Sequence, residues 1–494
     1  MRDLRGTENV SSPCERLREL AAHTPAAPGL VLWAGGREAV WTWAELERRT
    51  RSTADAIASR TVRPERSVLV TEEVGGTGDV LNLIAMLRTR LPVAVLPGNA
   101  PHPARHALRE KLLRNGHDLV ELREPGIEVT LSKFPVRGCM PADSLLMSSG
   151  GSSGKPKVVI DRWMRRTGER PRAARLTTQL NWRAGQRQMI IGSLHHASTL
   201  NFLIEGLADG NTLVITRLFE PTTVLDLIAA WDIRWLHLTP YHMRHLVFTI
   251  RKRRHDLASL RGLVHLAAPC PYKIKRGWLD LLPPEYVFEL YGSTEGIGVT
   301  IARGDEWIER PGTVGRGFFT HIRILDSEGF VLPPGETGEI YMRSRQGPRP
   351  SDTYLDVNDA MTVTADGFSS VGDRGHLDGD GYLYLTSRQL TRIQVGGETV
   401  DPSEVESVLI SHPDVLDAGV AGVIDQRLGE SLVALVVSTS RDPGSLKQYI
   451  RERMPGHKVP RIVRIVDQLP YTDVGKLDRM ALSELAERGH VAQT

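Results

Sequence analysis

The sequence is poor in cysteine and has no large excess of charge of either sign. Its three cysteines, Cys14, Cys139 and Cys270, lie far apart and lack the paired spacing of a zinc site or a disulfide framework, so a reducing, cytoplasmic setting is expected. Lys and Arg number 62 against 59 Asp and Glu, which leaves a net charge of +3. So small a charge gives a polyanion no strong overall attraction, and nucleic acid is not an expected partner.

Long hydrophobic runs are also missing from the sequence. A membrane-spanning helix needs about 20 consecutive apolar residues, whereas even the region 194–236 is interrupted by histidines and by acidic residues such as Glu205 and Asp232. The segment before Cys14 lacks the apolar centre of a secretory signal. We therefore expect neither a membrane span nor export.

The chain contains alternating strand and helix patterns. Its 494 residues, 40% of them hydrophobic, can bury more than one core, because single cores seldom grow beyond about 250 to 300 residues. Short apolar β-rich runs alternate with helical patterns, which is typical of βαβ units around a parallel sheet. The expected fold class is α/β. The predicted strands are Ser67–Thr71, Val93–Leu96, Met189–Ile191, Thr212–Ile215 and Trp235–Leu238, and the predicted helices are Cys14–Ala22, Val80–Arg88 and Arg105–Leu113.

The last third of the chain has a different character. From Val314 onward, short strands and Gly/Pro turns predict an antiparallel β subdomain. Beyond Ser387 a helix is predicted at Asp401–Leu409, with Asp401 as its cap, followed by strands at Ala418–Ile424 and Leu432–Ser438. We expect these elements to form a small C-terminal α+β domain.

The segment Ser148–Lys157, SSGGSSGKPK, suits a polyphosphate. Glycine lets backbone N–H groups approach a ligand, hydroxyls donate to phosphate oxygens and lysine supplies charge. It is not a P-loop, because Gly150 and Gly154 enclose three residues instead of four and Lys155 precedes proline. A flexible surface linker has the same composition, so both interpretations stay open at this point.

Five segments occur in a fixed order along nearly the whole chain. They are SSGGSSGKPK (148–157), YGSTEG (291–296), VGDRGHLD (371–378), the stretch 387–400 and YTDVGKLDR (471–479). Together they resemble the core motifs of the adenylate-forming superfamily of acyl-CoA synthetases, luciferases and peptide-synthetase adenylation domains, and among these the acyl-CoA synthetases most. The resemblance implies an ATP-dependent ligase that uses Mg²⁺ and coenzyme A.

The resemblance also assigns roles to residues. Tyr291 would stack on adenine, Thr294 would contact phosphate, Glu295 would hold Mg²⁺, Asp373 would accept the ribose hydroxyls and Arg388 would lie beside the ribose. Taken singly, each has an ordinary structural role open to it, such as a turn Glu or a core Tyr. The implied nucleotide-binding residues are Ser148, Ser149, Gly150, Gly151, Ser152, Ser153, Gly154, Lys157, Ala268, Pro269, Tyr291, Gly292, Ser293, Thr294, Asp373 and Arg388.

Lys476 in YTDVGKLDR matches the C-terminal lysine that reaches the active site of the family during adenylation. There an ammonium group can neutralise charge that develops on the substrate carboxylate and the α-phosphate. A lone lysine after glycine is otherwise an ordinary turn residue. The implied catalytic residues are Lys476, Glu295, Thr294 and His196, and the implied metal ligand is Glu295.

The family rotates its small domain between its two half-reactions. Applied to this chain, the resemblance implies an N-terminal domain over residues 1–387 with the ATP and acyl pockets, a hinge at 388–391 and a mobile C-terminal domain over 392–494. Family members commonly carry Asp or Lys where Leu390 stands. The pivot residue is therefore left open.

His195 and His196 admit other interpretations. An acyltransferase HH pattern would need Asp at its sixth position, where Leu200 stands. A zinc pair is not expected, because the two residues are expected on one strand, where adjacent side chains point to opposite faces. SLHHAST instead resembles the family's segment at the acyl pocket, which makes His196 a gating residue, while a structural histidine is equally compatible.

The acid and the acceptor are implied only in outline. The predicted acyl pocket is apolar, which favours a hydrophobic carboxylic acid, and Glu205 and Asp209 are weak candidates for holding an amino-acid ammonium. The pocket residues are His196, Phe202, Leu203, Leu238, Ala267 and Gly292.

Coenzyme A is the expected acceptor, and its pantetheine arm would pass Gly396 and Gly397. The alternatives are a carrier-protein phosphopantetheine or a nucleotide-binding protein without activity. A homodimer is the commonest assembly for such enzymes. The Arg-rich stretch 162–175 is expected to form a solvated face.

Overall fold

The structure is a computed structural model that describes residues 12–73, 77–97, 103–123, 126–135, 140–150, 156–162, 164, 174–216, 218–253, 255–345, 353–355, 361–386, 393–425, 429–472 and 476–488. Its helices are α1 Pro13–His23, α2 Trp43–Arg60, α3 Thr77–Leu87, α4 Pro103–Arg114, α5 Ala197–Ala208, α6 Pro221–Ala230, α7 Pro240–Lys252, α8 Tyr272–Leu279, α9 Gly304–Glu309, α10 Pro402–Ser411, α11 Pro443–Arg451 and α12 Arg479–Arg488. None of these helices is long and apolar enough to cross a membrane.

The strands are β1 Pro28–Ala34, β2 Arg37–Thr42, β3 Ser67–Glu73, β4 Val93–Pro97, β5 Asp118–Arg123, β6 Gly126–Thr130, β7 Leu145–Gly150, β8 Pro156–Asp161, β9 Arg187–Ile191, β10 Thr212–Thr216, β11 Trp235–Leu238, β12 Gly262–His265, β13 Val287–Gly292, β14 Val299–Arg303, β15 Thr313–Gly317, β16 Thr320–Leu325, β17 Gly338–Ser344, β18 Ser369–Leu377, β19 Leu383–Thr386, β20 Ile393–Val395, β21 Glu398–Val400, β22 Val415–Asp425, β23 Gly429–Ser438 and β24 Ile462–Ile465.

These strands form three sheets in the described part of the chain. One has the order β6-β5-β3-β4-β7-β8, with a parallel centre and antiparallel edge strands. The largest has the order β16-β17-β18-β19-β15-β14-β13-β12-β11-β9-β10-β1-β2. We call the residues up to 386, which hold these two sheets, the large domain. The third sheet, β21-β20-β23-β22 with β24 against β23, lies in the residues from 393, which we call the small domain.

The α/β prediction is confirmed, and each predicted strand and helix is present with its ends shifted by a few residues. Asp401 caps α10, and its carboxylate accepts from the Ser403 backbone N–H at 2.9 Å. The predicted antiparallel β subdomain is present as β15 to β19. Because β15 pairs with both β14 and β19, it continues the large parallel sheet without a break. The predicted hinge at 388–391 lies outside the described residues.

The parallel strands of the largest sheet are buried on both faces. Ile190 of β9 packs into one hydrophobic cluster, together with α5, while its neighbours Met189 and Ile191 pack into another beneath α6, α7 and α8. Two covered faces explain why these strands read as nearly continuous hydrophobic runs. Loops that leave the carboxyl ends of such strands meet at one edge, which is where open α/β sheets bind ligands.

Candidate active site

The carboxyl ends of β11, β12 and β13 form that edge, and several predicted site residues follow them. Ala267, after β12, is exposed and has a φ of +79°, a left-handed conformation that costs a residue with a Cβ on the order of 1 kcal/mol. At the end of β13, a Cβ on Gly292 would lie 2.9 Å from the carbonyl oxygen of Gly298. The backbone is therefore left-handed at Ala267 and closely approached by a carbonyl group at Gly292. Ala268 and Pro269, which directly follow Ala267, are the residues predicted to lie near adenine.

Tyr291 and Asp373 come together at this edge, although 82 positions separate them. Tyr291 is the next-to-last residue of β13 and Asp373 lies within β18, and the Tyr291 hydroxyl donates to Asp373 Oδ2 at 2.8 Å. The hydrogen bond joins the parallel and the antiparallel parts of the sheet beside the predicted ribose position. The other predicted partner of the ribose, Arg388, lies outside the described residues.

Glu295 has a partner that the sequence did not indicate. The Tyr354 hydroxyl donates to Glu295 Oε1 at 2.8 Å, and Lys157 Nζ lies 5.0 Å from the centre of the Tyr354 ring. Residues 353–355 pair with β8 through Ile160 N to Thr353 O at 2.8 Å and Leu355 N to Val158 O at 3.0 Å. This pairing brings the strand after the glycine-rich loop next to the predicted metal ligand. Ser293 and Thr294 are half-buried in the turn before Glu295.

The glycine-rich segment is shorter as a loop than the sequence predicted. Ser148, Ser149 and Gly150 belong to β7 and pair with Val158, Lys157 and Pro156 of β8. β7 and β8 thus form a hairpin. The residues between them, 151–155, lie outside the described residues, so the predicted roles of Gly151, Ser152, Ser153 and Gly154 stay predictions.

The expectation that His195 and His196 lie on one strand is wrong. They lie in a turn that leads into α5, where His196 is the N-cap residue, and their ring centroids are 3.9 Å apart. The argument against a zinc pair based on strand alternation therefore fails, because a turn can bring adjacent side chains together. Among the described residues, however, no group of three or more His, Cys, Asp or Glu could hold a metal ion.

The apolar residues predicted for the acyl pocket do not form one cluster. Phe202 packs beside Trp235 in one buried group, Leu203 of α5 lies in the core between α5 and the sheet, and Leu238 lies in the core on the opposite face of the sheet. All three are at most 2% exposed. By contrast, His196 is half-buried and Ala267 and Gly292 are exposed. Burial thus separates the predicted pocket residues into three in the core and three at the open edge.

Arg175 corrects the expectation of a solvated Arg-rich face. Its side chain is 1% exposed and donates to Glu205 Oε2 at 3.0 Å and to Asp209 at 2.9 Å, and Trp182 Nε1 donates to Asp209 Oδ2 at 2.7 Å. Because buried carboxylates need such partners, Glu205 and Asp209 serve this cluster and are not available as a site for a substrate ammonium group. Residues 165–173 of the stretch lie outside the described residues.

A second buried ion pair lies beneath the open edge. His265 of β12 stands opposite Glu289 of β13 in the sheet register, and Lys275 Nζ from α8 donates to Glu289 Oε2. Lys275 is 0% exposed and also lies 4.8 Å from the centre of the Trp307 ring. Burial, and after it the positive charge of Lys275, lower the pKa of His265 well below its usual value. His265 is thus neutral, and Lys275 and Glu289 tie α8 to β13, which ends at the site.

In the small domain, Gly396 and Gly397 form the turn between β20 and β21 with φ values of +59° and +89°. This left-handed pair explains the glycines by backbone conformation alone, so their predicted role toward coenzyme A stays a prediction. Lys476 follows residues 473–475, which are outside the described ranges, and lies directly before Leu477, which pairs with Tyr471.

Comparisons with known proteins bear on this arrangement. A family model for AMP-binding enzymes matches residues 111–349, and a model for the C-terminal domain of AMP-binding enzymes matches residues 404–476. The feruloyl-CoA synthase of an Amycolatopsis species is 32% identical over 340 residues, which cover 67% of this chain and 68% of that protein. The chain belongs to the AMP-binding enzyme family.

Solved structures of this family share the fold along the chain. The o-succinylbenzoate coenzyme A synthetase of Bacillus subtilis in complex with ATP and magnesium ion has a TM-score of 0.74 and 24% identity, over 94% of this chain and 98% of that chain. The amide bond synthetase McbA of Marinactinospora thermotolerans has a TM-score of 0.70 and 23% identity, over 96% of this chain and 100% of that chain. At these identities the similarity establishes the fold.

The described residues of this AMP-binding enzyme fit a magnesium ion bound together with a nucleotide. Mg²⁺ in such sites takes one or two carboxylates and fills its remaining positions with phosphate oxygens and water. Glu295 supplies a carboxylate beside Lys157 and the hairpin of β7 and β8, and Tyr354 fixes one of its oxygens. A single oriented carboxylate is the donor set that this chemistry requires.

Two functional candidates were missed from the sequence. Tyr354 lies outside every motif, and only the pairing of residues 353–355 with β8 brings it to Glu295. Arg244, on α7, contacts Asp417 and Tyr471 of the small domain, and a periodic helix pattern gives no sign of such a distant partner. Tyr471 itself lies within YTDVGKLDR, so the motif could have suggested that its neighbours matter.

Proposed function

We propose that the protein is an ATP-dependent acyl-CoA ligase. It activates a hydrophobic carboxylic acid as an acyl-adenylate with release of pyrophosphate and then transfers the acyl group to coenzyme A. The observation that carries the proposal is the meeting of Tyr291 with Asp373 and of Tyr354 with Glu295 at the carboxyl edge of the large sheet. These pairs join three separate segments of the chain, and their meeting supports nucleotide binding at this edge of the sheet.

In the first half-reaction the substrate carboxylate oxygen attacks the α-phosphorus of ATP and the bond to pyrophosphate breaks. The residues of the β7–β8 hairpin and Lys157 bind the β- and γ-phosphates, while Tyr291 and Asp373 hold the adenosine. Mg²⁺ on Glu295 would offset phosphate charge when bound. Lys476 neutralises the charge that develops between carboxylate and α-phosphate. Positioning and charge therefore lower the barrier, and no enzyme nucleophile is required.

In the second half-reaction the thiol of coenzyme A attacks the acyl carbonyl, and AMP leaves with the bonding electrons of the anhydride. The lysine turn would block this approach, so the small domain rotates about a hinge in residues 388–391. The turn at Gly396 and Gly397 then lines the path of the pantetheine arm. Hinges absorb backbone torsion and need no particular side chain, so Leu390 is compatible with this role.

The acid is proposed to be apolar and aromatic. Arg175 occupies both Glu205 and Asp209, which removes the acidic groups nearest the predicted pocket that could bind an amino-acid ammonium. The similar feruloyl-CoA synthase carries an aromatic acid in its name. An aromatic carboxylic acid without an ammonium group agrees with both observations.

The test is incubation of the full chain with ATP, Mg²⁺, coenzyme A and a panel of aromatic, aliphatic and amino acids. AMP, pyrophosphate and an acyl-CoA thioester are expected together for aromatic acids. A thioester that forms only on a carrier-protein phosphopantetheine would favour the alternative acceptor. Absence of acid-dependent pyrophosphate across the panel would contradict the proposed function.

A further inference from the structure

The two domains meet through a buried group of three polar side chains. Arg244 of α7 donates through Nη1 to Asp417 Oδ1 and through Nη2 to the Tyr471 hydroxyl at 2.9 Å. The Tyr471 hydroxyl in turn donates to Asp417 Oδ2 at 2.8 Å. The side chains of Arg244 and Asp417 are only 7% and 9% exposed. A charged pair from two different domains is thus nearly withdrawn from water.

Tyr471 lies at the base of the turn that carries Lys476. Tyr471 forms an antiparallel bridge with Leu477. Above it, the Thr472 N–H donates to the Lys476 carbonyl at 2.8 Å and the Lys476 N–H donates to Thr472 Oγ1 at 3.2 Å. The position of Tyr471 therefore sets the position of the Lys476 backbone.

The contact lies along the ligand edge of the large domain. Thr239 follows β11 directly and caps α7, so that Tyr241 and Arg244 stand in the first two turns of the helix after the carboxyl end of a central strand. The rings of Tyr241 and Tyr471 are 4.8 Å apart. A second contact joins Lys273 Nζ, at the start of α8, to the His412 carbonyl at 3.3 Å. Tyr471, which pairs with Leu477 directly after Lys476, thus contacts the first turns of the helix that follows the carboxyl end of β11.

The energetics of such a pair favour one orientation without making it permanent. Burial lowers the pKa of Arg244, but Asp417 and Tyr471 more than offset this and raise it, so the guanidinium stays charged. A buried pair recovers in attraction roughly what desolvation costs. When the domains separate, both charges return to water, and the contact can open. Loss of either charge leaves its partner uncompensated for as long as the domains stay together, and therefore favours their separation.

We propose that Arg244, Asp417 and Tyr471 are positioning residues that hold the Lys476 turn against the large domain for adenylation. The inference rests on the proposed function and extends it to the choice of domain orientation. The three residues touch no substrate and act through the turn. Their loss should therefore slow the half-reaction that uses Lys476 and spare the half-reaction that follows rotation.

The test compares the two half-reactions in the full chain. Acid-dependent exchange of pyrophosphate into ATP reports adenylation, and thioester formation from supplied acyl-adenylate and coenzyme A reports transfer. In Arg244→Met the kcat of exchange should fall about ten- to hundredfold while transfer stays within about twofold. Arg244→Lys should retain part of the exchange rate. The matched control is Arg109→Met, which breaks an ion pair between Arg109 of α4 and Glu121 of β5. It should change neither rate selectively.

Other results would overturn the inference. Equal loss of both half-reactions in Arg244→Met would mean a general structural role, and unchanged exchange would mean that the contact does not position Lys476. If the wild-type chain exchanges pyrophosphate normally, either result leaves the proposed function intact. Absence of exchange in the wild-type chain with every acid would overturn both the function and this inference.

Discussion

Two of the buried ion pairs among the described residues have similar chemistry but lie in different settings. Lys275 and Glu289 join α8 to β13 within the large domain, and their side chains are 1% and 10% exposed. Arg244 and Asp417 are buried to the same degree, at 7% and 9% exposed, but belong to different domains. Both residues of the first pair belong to one domain, and Lys275 Nζ also lies 4.8 Å from the centre of the buried Trp307 ring. In the second pair, Arg244 belongs to the large domain and Asp417 to the small domain.

The difference shows that burial alone does not define what an ion pair does. Within one core, neither charge can reach water unless the domain unfolds, so the pair contributes to the integrity of the fold. Across a boundary, both charges regain water when the domains part, so the pair selects an orientation. Similar burial thus stabilises the folded domain in one case and favours one orientation of the two domains, reversibly, in the other.

The largest effect on stability is expected for Lys275→Met. Without the ammonium group, Glu289 is left buried and uncompensated, and its pKa, already raised by burial against the lowering effect of Lys275, rises further. The unfolding free energy of the large domain should fall by about 3 kcal/mol, which a shift of several degrees in Tm would report.

Arg244→Met should cost about 1 kcal/mol or less in the same measurement, because Asp417 can regain water. A double variant, Lys275→Met with Glu289→Leu, should recover most of the loss by removing both charges. Equal Tm shifts for Lys275→Met and Arg244→Met would remove the distinction between the two pairs.

The buried His237 predicts that stability depends on pH. Burial lowers the pKa of His237 on β11 from its usual 6.5 to about 4, so the folded state binds fewer protons than the unfolded state between these values. Stability should therefore decrease as pH falls from 6.5 toward 4, by about 2 kcal/mol at pH 4.5. In His237→Gln the unfolding free energy should depend less steeply on pH over this range.

The slope, and not the level, is the measured quantity for His237, because the substitution itself changes packing. His106, exposed on α4, provides the control, and His106→Gln should leave the slope close to that of the wild-type chain. An unchanged slope in His237→Gln would show that this histidine is not the buried base.

The smallest effect is expected for Tyr354→Phe, which supports the same half-reaction as Arg244 from within the large domain. Loss of the hydroxyl removes the hydrogen bond that orients Glu295. The Mg²⁺ concentration that half-saturates pyrophosphate exchange should therefore rise about tenfold, and Mn²⁺ binding in the presence of ATP, followed by electron paramagnetic resonance, should weaken in parallel.

Tyr382→Phe is the matched control for this prediction, because the Tyr382 hydroxyl donates to Glu306 at 3.0 Å in a similar pair away from the site. It should leave the Mg²⁺ dependence unchanged, as should Arg244→Met, which alters the exchange rate by a different route. A shift of the Mg²⁺ dependence in either control would show that the effect is not specific to the Tyr354–Glu295 hydrogen bond, and would contradict the prediction.

Sequence patterns predicted the elements well and the contacts between them poorly. Trp235–Leu238 and Asp401 were placed correctly because strand composition and helix capping are local. The pairs formed by Tyr354 with Glu295 and by Arg244 with Asp417 link residues 59 and 173 positions apart. No local pattern encodes such partners, since they depend on how sheets and domains pack.

Two predictions failed for different reasons. His195 and His196 were expected on one strand, whereas the chain turns there to begin α5. Arg175 was expected in solvent because arginines surround it, but it is buried against the carboxylates of Glu205 and Asp209. For Arg175, partners 30 and 34 positions away outweighed the local pattern.

The most direct test of the account concerns Lys476. In Lys476→Ala, acid-dependent pyrophosphate exchange should fall by about a hundredfold or more, whereas thioester formation from supplied acyl-adenylate and coenzyme A should continue at nearly the wild-type rate. An exchange rate equal to that of the wild-type chain would contradict the assignment of this ammonium group to adenylation.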